Sequence, residues 1–189
     1  MHYTEINQGI GNPDLYLLDQ ILKGRFEGKK RVLDAGCGEG RNMTYFIKNG
    51  CDVYGIDNNP LAIRMLHMMY KSIPKQNFMV GDIGSLPWKY GFFDVVICSA
   101  VLHFARDQET FDKMMTEMSR VLAPGGLMFI RMATSVGIKN SDDHTFSYLL
   151  SYEEALHLPS KYSLEWVEPF KTVVVEQKRS MGTLMLARV

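Results

Sequence analysis

From residue 34 to residue 40 the chain reads Asp-Ala-Gly-Cys-Gly-Glu-Gly, directly after apolar Val32-Leu33. A strand that runs into glycines and then into a helix, predicted here to begin near Arg41, leaves backbone uncovered. A ligand can then lie against it, faced by the amides of the helix start. Asp57 stands 19 positions after Gly38, at the end of the run VYGI. At that separation an acidic side chain can accept both hydroxyls of an adenosine ribose. Gly36, Gly38 and Gly40 are spaced G-x-G-x-G and not G-x-G-x-x-G, which departs from the dinucleotide pattern. Asp34, beside the loop, repels a pyrophosphate and favours a cationic amino acid moiety.

Two more residues stand where open α/β sheets place their ligands, at the carboxyl ends of predicted strands. His103, just past FFDVVIC, is the candidate general base, the other reading being that it lines the pocket or caps a backbone group. Arg131, ending LMFIRM, is placed to steer an anionic acceptor or to make a surface ion pair. No metal is expected. The remaining histidines, His2, His67, His144 and His157, lack ligand spacing, and adjacent Asp142, Asp143 and His144 read as a solvated loop. Cys37, Cys51 and Cys98 form no C-x-x-C pair and read as buried free thiols.

These residues need elements to hold them. Asn12-Pro13 predicts a lead-in helix with a stripe of Leu15, Leu18 and Leu22, ending at Gly24. Strands follow at Val32-Leu33, 53–56, 78–80, 92–98 and from Leu127. Between them lie a helix capped by Asn59-Pro60, with a stripe of Leu61, Ala62, Met65, Met68 and Met69, and one carrying Phe111, Met114, Met115, Met118, Val121 and Leu122. Pro124-Gly125-Gly126 stops the second of these helices. Alternating strands and helices, with strands apolar throughout, describe a doubly wound α/β fold with a mostly parallel sheet. The runs 172–177 and 183–189 are joined by a short connection containing Gly182 and pair as an antiparallel hairpin. The methionines read as core packing.

Composition bounds the function. The chain has 189 residues, 46% of them apolar, with 21 basic and 21 acidic side chains, so one domain over 1–189 is expected and nucleic acid and anionic membrane are not expected partners. The longest apolar stretch, 95–105, is far short of the roughly 20 residues that span a bilayer, and residues 1–9 lack a signal-peptide pattern. A cytoplasmic protein is expected, monomeric or homodimeric.

Read in order, VLDAGCGEG, VYGID, GDIGSLPW, FDVVICSAVLHF and VLAPGGLMFIR resemble the class I S-adenosylmethionine-dependent methyltransferases over residues 31–132. The resemblance implies the Rossmann-like methyltransferase fold with seven strands, S-adenosylmethionine as cofactor and S-adenosylhomocysteine as product. By position, Gly36, Gly38 and Gly40 would flank the methionine moiety, Cys37 and Asn42 would also bind the cofactor, and Asp34 would reach its amino group indirectly or through the loop. Asp57 would clasp the ribose, Asn58, Asp82 and Ile83 would hold the adenine, and the backbone near Ser99 would pass the methionine end. Gly40-Arg41-Asn42 is similar to small bacterial enzymes of the tellurite-resistance and thiopurine type, which implies a small-molecule acceptor. The acceptor side would comprise His103, Phe104 and Arg131, covered by an N-terminal lid over 1–30 with Tyr3 and Tyr16 and by an insert over 133–160. A protein that binds the cofactor without turnover shares every cofactor residue. A nicotinamide oxidoreductase shares the loop and Asp57 but should carry Tyr-x-x-x-Lys, which does not occur.

Overall fold

The computed structural model describes residues 2–138, 145–176 and 178–189; the side chain of Tyr3, and Asp142, Asp143 and His144, lie outside the description. Strands β1 (Arg31–Ala35), β2 (Asp52–Asp57), β3 (Phe78–Val80), β4 (Phe93–Ser99) and β5 (Leu122–Thr134) are parallel, in the order β3-β2-β1-β4-β5. The sheet continues from β5 to the antiparallel strand β8 (Arg179–Arg188), which pairs in turn with β6 (Leu164–Trp166) and β7 (Lys171–Val175). This is the expected Rossmann-like methyltransferase architecture, helices around a mostly parallel sheet.

Among the described residues the sheet has eight strands and not seven because its edge is interrupted. β6 and β7 run the same way along β8, and Val167–Phe170, with Pro169, span only Leu184 and Met185 opposite. Proline cannot donate to a ladder, so it is tolerated at such an edge. The hairpin turn lies between Val175 and Arg179, and Gly182 sits within β8, not in the connection. A Cβ there would come within 2.6 Å of Thr134 Cγ2 and 2.8 Å of Phe170.

Alternate residues of the central strands serve opposite faces. Val95, Ile97 and Phe129 pack with Leu17, Ile21, Phe46 and Leu66 from α2 (Leu15–Leu22), α3 (Thr44–Lys48) and α4 (Pro60–Met69). Val96, Cys98, Met128 and Ile130 pack with Phe111, Met115, Met118 and Leu158 from α5 (Gln108–Val121) and α6 (Tyr152–Tyr162). Both faces are therefore covered, which explains strands without polar alternation.

Several local expectations are corrected. A further helix, α1 (Tyr3–Ile10), precedes α2, and the cap of α2 is Asp14, whose side chain accepts from the Tyr16 N–H, not Asn12. Leu15 and Leu22 are 68% and 79% exposed, and α2 buries Leu17, Gln20 and Ile21 instead. Asn59 does cap α4 with Pro60 at its first position, yet that helix buries Ala62, Ile63 and Leu66 and leaves Leu61, Met65, Met68 and Met69 outside. The helix after the glycine loop begins at Thr44 and is a five-residue piece, so the loop does not feed a helix at Arg41. β5 runs through Pro124-Gly125-Gly126, with Ala123–Gly126 bulging opposite Asp94. No helix among the described residues is long and apolar enough to cross a membrane.

The reversed face of α4 is measurable. Leu66→Ala is expected to cost about 2–5 kcal/mol in urea unfolding, and Met68→Ala to stay within about 0.5 kcal/mol. Equal losses would restore the methionine stripe to the core.

Candidate active site

β1 ends on Asp34-Ala35, and the chain turns back under the end of β2, where the Gly36 and Cys37 N–H groups donate to Ile56 O at 2.8 and 3.1 Å. Gly36 and Gly38 both have positive φ, 75° and 49°. At Gly36 a Cβ would lie 2.4 Å from Val101 Cγ2, so the loop must approach the turn after β4 closely; at Gly38 the corresponding space is open. Asp57, ending β2, fixes the loop from the other side. Its Oδ2 accepts the Gly38 N–H and its Oδ1 the Asn59 N–H, each at 2.8 Å.

A cavity of about 400 Å³ opens beside this junction, lined by Gly36, Asp57, Asn58, Gly81, Asp82, Ile83, Ala100, Val101, Phe104 and Met114. Asp57-Asn58 and Asp82-Ile83, from two separate stretches of the chain, thus share one cavity. Asp82 also accepts the Gly84 N–H at 2.7 Å, so it shapes its own turn as well as the cavity. A larger surface groove, about 620 Å³ along Gln108–Glu117 of α5, includes no residue from the ends of β1, β2 or β4.

Gly81, Ala100, Val101 and Met114 were not foreseen. Ala100 adopts φ 64°, a left-handed conformation that costs an alanine energy and that its side chain does nothing to announce. Met114 was read as core and comes half-buried to the cavity wall.

Other residues go elsewhere. Asp34 is 1% exposed and its Oδ2 has no hydrogen-bond partner. Burial pushes its carboxyl up to about 7, Arg41 pulling against that and Asp57 adding to it. Cys37 is buried, and burial raises its thiol, so it is no nucleophile. Asn42 accepts the Asp14 N–H at 2.9 Å and Ser99 donates to Asp14 Oδ2 at 3.3 Å, so both side chains hold the N-terminal segment and neither lines the cavity. Gly38, Cys37 and Gly40 likewise shape the loop without lining the cavity. Tyr16 lies against the Arg131 guanidinium, with Cζ 4.7 Å from its ring centroid.

The expectation that His103 is a base meets a different geometry. Its ring is 2% exposed, packed against Phe104 and Phe146, and its Nδ1 accepts the Ala133 N–H at 3.2 Å. With Nδ1 an acceptor, the neutral ring carries its proton on Nε2. Burial pushes the imidazole down to about 4. His103 therefore caps a backbone group and props Phe104, which is 58% exposed at the cavity. No cluster of three or more metal-ligating side chains occurs among the described residues.

The cavity suits a nucleoside with a cationic tail. Apolar Ile83, Val101 and Met114 can flank a ring, and Asp57 and Asp82 offer acceptors; Asp34, buried with its Oδ2 unpartnered, lies behind that lining.

A methyltransferase-domain family model matches residues 33–130. The chain is 31% identical over 127 residues to a malonyl-[acyl-carrier protein] O-methyltransferase of Enterobacter lignolyticus, covering 67% of this chain and 47% of that one. It is 31% identical over 143 residues to a tRNA (carboxymethyluridine(34)-5-O)-methyltransferase of Arabidopsis thaliana, covering 73% and 30%. The chain thus spans less than half the length of either relative. Its fold resembles the crystal structure of a SAM-dependent methyltransferase from Methanosarcina mazei, with a TM-score of 0.72 at 20% identity over 89% of this chain and 97% of that one. The narrower likeness to tellurite-resistance and thiopurine enzymes is not carried by these matches.

The buried imidazole predicts a pH signature. Its folded value near 4 lies below the ordinary 6.5, so the unfolded chain takes up the proton first. The stability it contributes is full above pH 6.5 and falls by about 3 kcal/mol as the pH drops toward 4. His103→Gln should flatten that part of a pH series of urea unfolding; a slope that survives the substitution would place a charged or solvated ring at 103.

Proposed function

The chain belongs to the methyltransferase-domain family, and from that premise we propose that it transfers a methyl group from S-adenosylmethionine to a small-molecule acceptor. The observation that carries this reading is the cavity bounded by Asp57 and Asp82 beside a loop of left-handed glycines. When bound, the cofactor supplies a methyl group already activated by its sulfonium and open to in-line displacement.

The chain's own part is binding and positioning. Each Asp57 oxygen accepts one backbone N–H and keeps a further lone pair for a ribose hydroxyl, the amides locking its rotamer. Asp82 accepts from the adenine amine, with Asn58 alongside and Ile83, Val101 and Met114 about the ring. Asp34 offers its charge to the amino group of the methionine moiety, and the backbone at Ser99-Ala100 passes that end. Phe104 offers its exposed face to the acceptor. Holding donor and acceptor in line supplies roughly 7–11 kcal/mol of a barrier. His103, neutral and donating from Nε2, supports this surface and takes no proton from the acceptor. The chain acts as a single methyltransferase unit. A net charge of zero lacks the cationic field that a nucleic acid partner requires, which favours a small acceptor. Three free cysteines fit a reducing, cytoplasmic setting.

Calorimetric titration with S-adenosylmethionine, S-adenosylhomocysteine and NADH tests the reading, the first two expected to bind and the third not. Asp57→Ala should weaken cofactor binding by about 1.5–3 kcal/mol, roughly tenfold to a hundredfold. Unchanged affinity removes Asp57 from the site, and NADH binding alone replaces the methyl-transfer reading with hydride transfer.

A further inference from the structure

A polar cluster at the carboxyl edge of the sheet is left unused by this reading. Ser99 and Arg131 are paired neighbours at the ends of β4 and β5. Asp14, 2% exposed, lies against both: Arg131 Nη1 donates to its Oδ2 at 2.7 Å and Ser99 Oγ at 3.3 Å. Arg41 reaches the same oxygen at 3.6 Å and donates to Ser99 Oγ at 3.3 Å. Two guanidiniums thus converge on one carboxylate, and Arg41 also acts on buried Asp34.

The donors are unevenly used. Arg131 Nε is buried and has no hydrogen-bond partner, while Tyr16 covers the guanidinium face. A buried donor without an acceptor is unfavourable, and a planar guanidinium fork is matched best by the two oxygens of a carboxylate. The cluster remains within reach of a ligand, since the Arg41 side chain is 51% exposed and that of Arg131 22%. It also adjoins the cavity: the N–H of Ala100, a lining residue, donates to Arg131 O at 2.8 Å.

We propose that Arg131 and Arg41 form a carboxylate-binding subsite, with Asp14 and Tyr16 holding the Arg131 guanidinium in place. The subsite deepens the methyltransferase reading and rests on it for the origin of the carboxylate, which is that of the methyl acceptor. Asp14 already displays the chemistry, since the side chain on which both guanidiniums converge is itself a carboxylate.

The Nε–H NMR signal of Arg131 in the full chain is the readout, identified by its loss in Arg131→Lys and, should that variant not fold, by through-bond assignment of the wild type. At constant ionic strength, sodium acetate and sodium benzoate are expected to shift it saturably, and chloride and benzamide are not. Acetate binding followed at Arg41 should weaken about tenfold in Arg131→Gln, the loss expected for a charge-assisted pair. S-adenosylhomocysteine and its decarboxylated analogue separate the sources. A response to the first and not the second, with none to acetate at saturating S-adenosylhomocysteine, gives the arginines to the cofactor and overturns the acceptor subsite. A response to acetate that persists at saturating S-adenosylhomocysteine assigns it to the acceptor. No saturable response to any carboxylate, with or without S-adenosylhomocysteine, overturns the subsite. Calorimetric binding of S-adenosylhomocysteine reports on the methyltransferase reading separately, so the two can fail independently.

Discussion

The carboxylate of Asp57 is the contact on which the site depends. Its two oxygens take one backbone N–H from the glycine loop and one from the start of α4, so a single side chain ties the ends of β1 and β2 to the helix that follows. Charge-assisted bonds to backbone amides are short and strong, and here they orient donors that would otherwise face open space. The loop can then stay free of side chains where it faces the cavity. With Ile56 O receiving the Gly36 and Cys37 amides, the left-handed turn is held from below as well as from the side.

Beside that arrangement one carboxylate oxygen is unsatisfied. Asp34 is buried with an oxygen that nothing answers, the kind of defect a fold keeps at a functional site and compensates elsewhere. The compensation lies in the two cores, where fully buried side chains from α2 to α6 cover both faces of the sheet. His103 follows the opposite logic. Its burial is answered by a hydrogen bond from Ala133 and by aromatic neighbours, so it serves as a neutral wedge under Phe104.

The N-terminal segment is joined to the same edge by charge. Asp14 caps α2 with one oxygen and holds Arg131 and Ser99 with the other, while Asn42 receives its backbone N–H. Strand alternation explains why these residues gather apart from the cavity. Ser99 and Arg131 follow the parity of Ile97 and Phe129, and so stand on the α2 face, whereas Ala100 and Val101 turn away after the strand ends. The N-terminal segment is thus held to the sheet edge by residues 117 positions apart.

The succession of strands and helices along the chain, the glycine loop, the acid at the end of β2 and the antiparallel close of the sheet are legible in the amino-acid sequence. Each is written in a local pattern: glycine where φ must be positive, continuous apolar runs where both faces are covered, a carboxylate at a set distance from the loop. What only the tertiary structure decided are choices between faces and between distant partners. α4 carries apolar residues on more than one side, so periodicity could not say that Leu66 turns in and Met68 out; α2 misleads in the same way at Leu15 and Leu22. The role of His103 depends on an amide 30 residues away, and that of Ser99 on an aspartate 85 residues away. Such contacts arise when separate elements pack, and no local spacing encodes them.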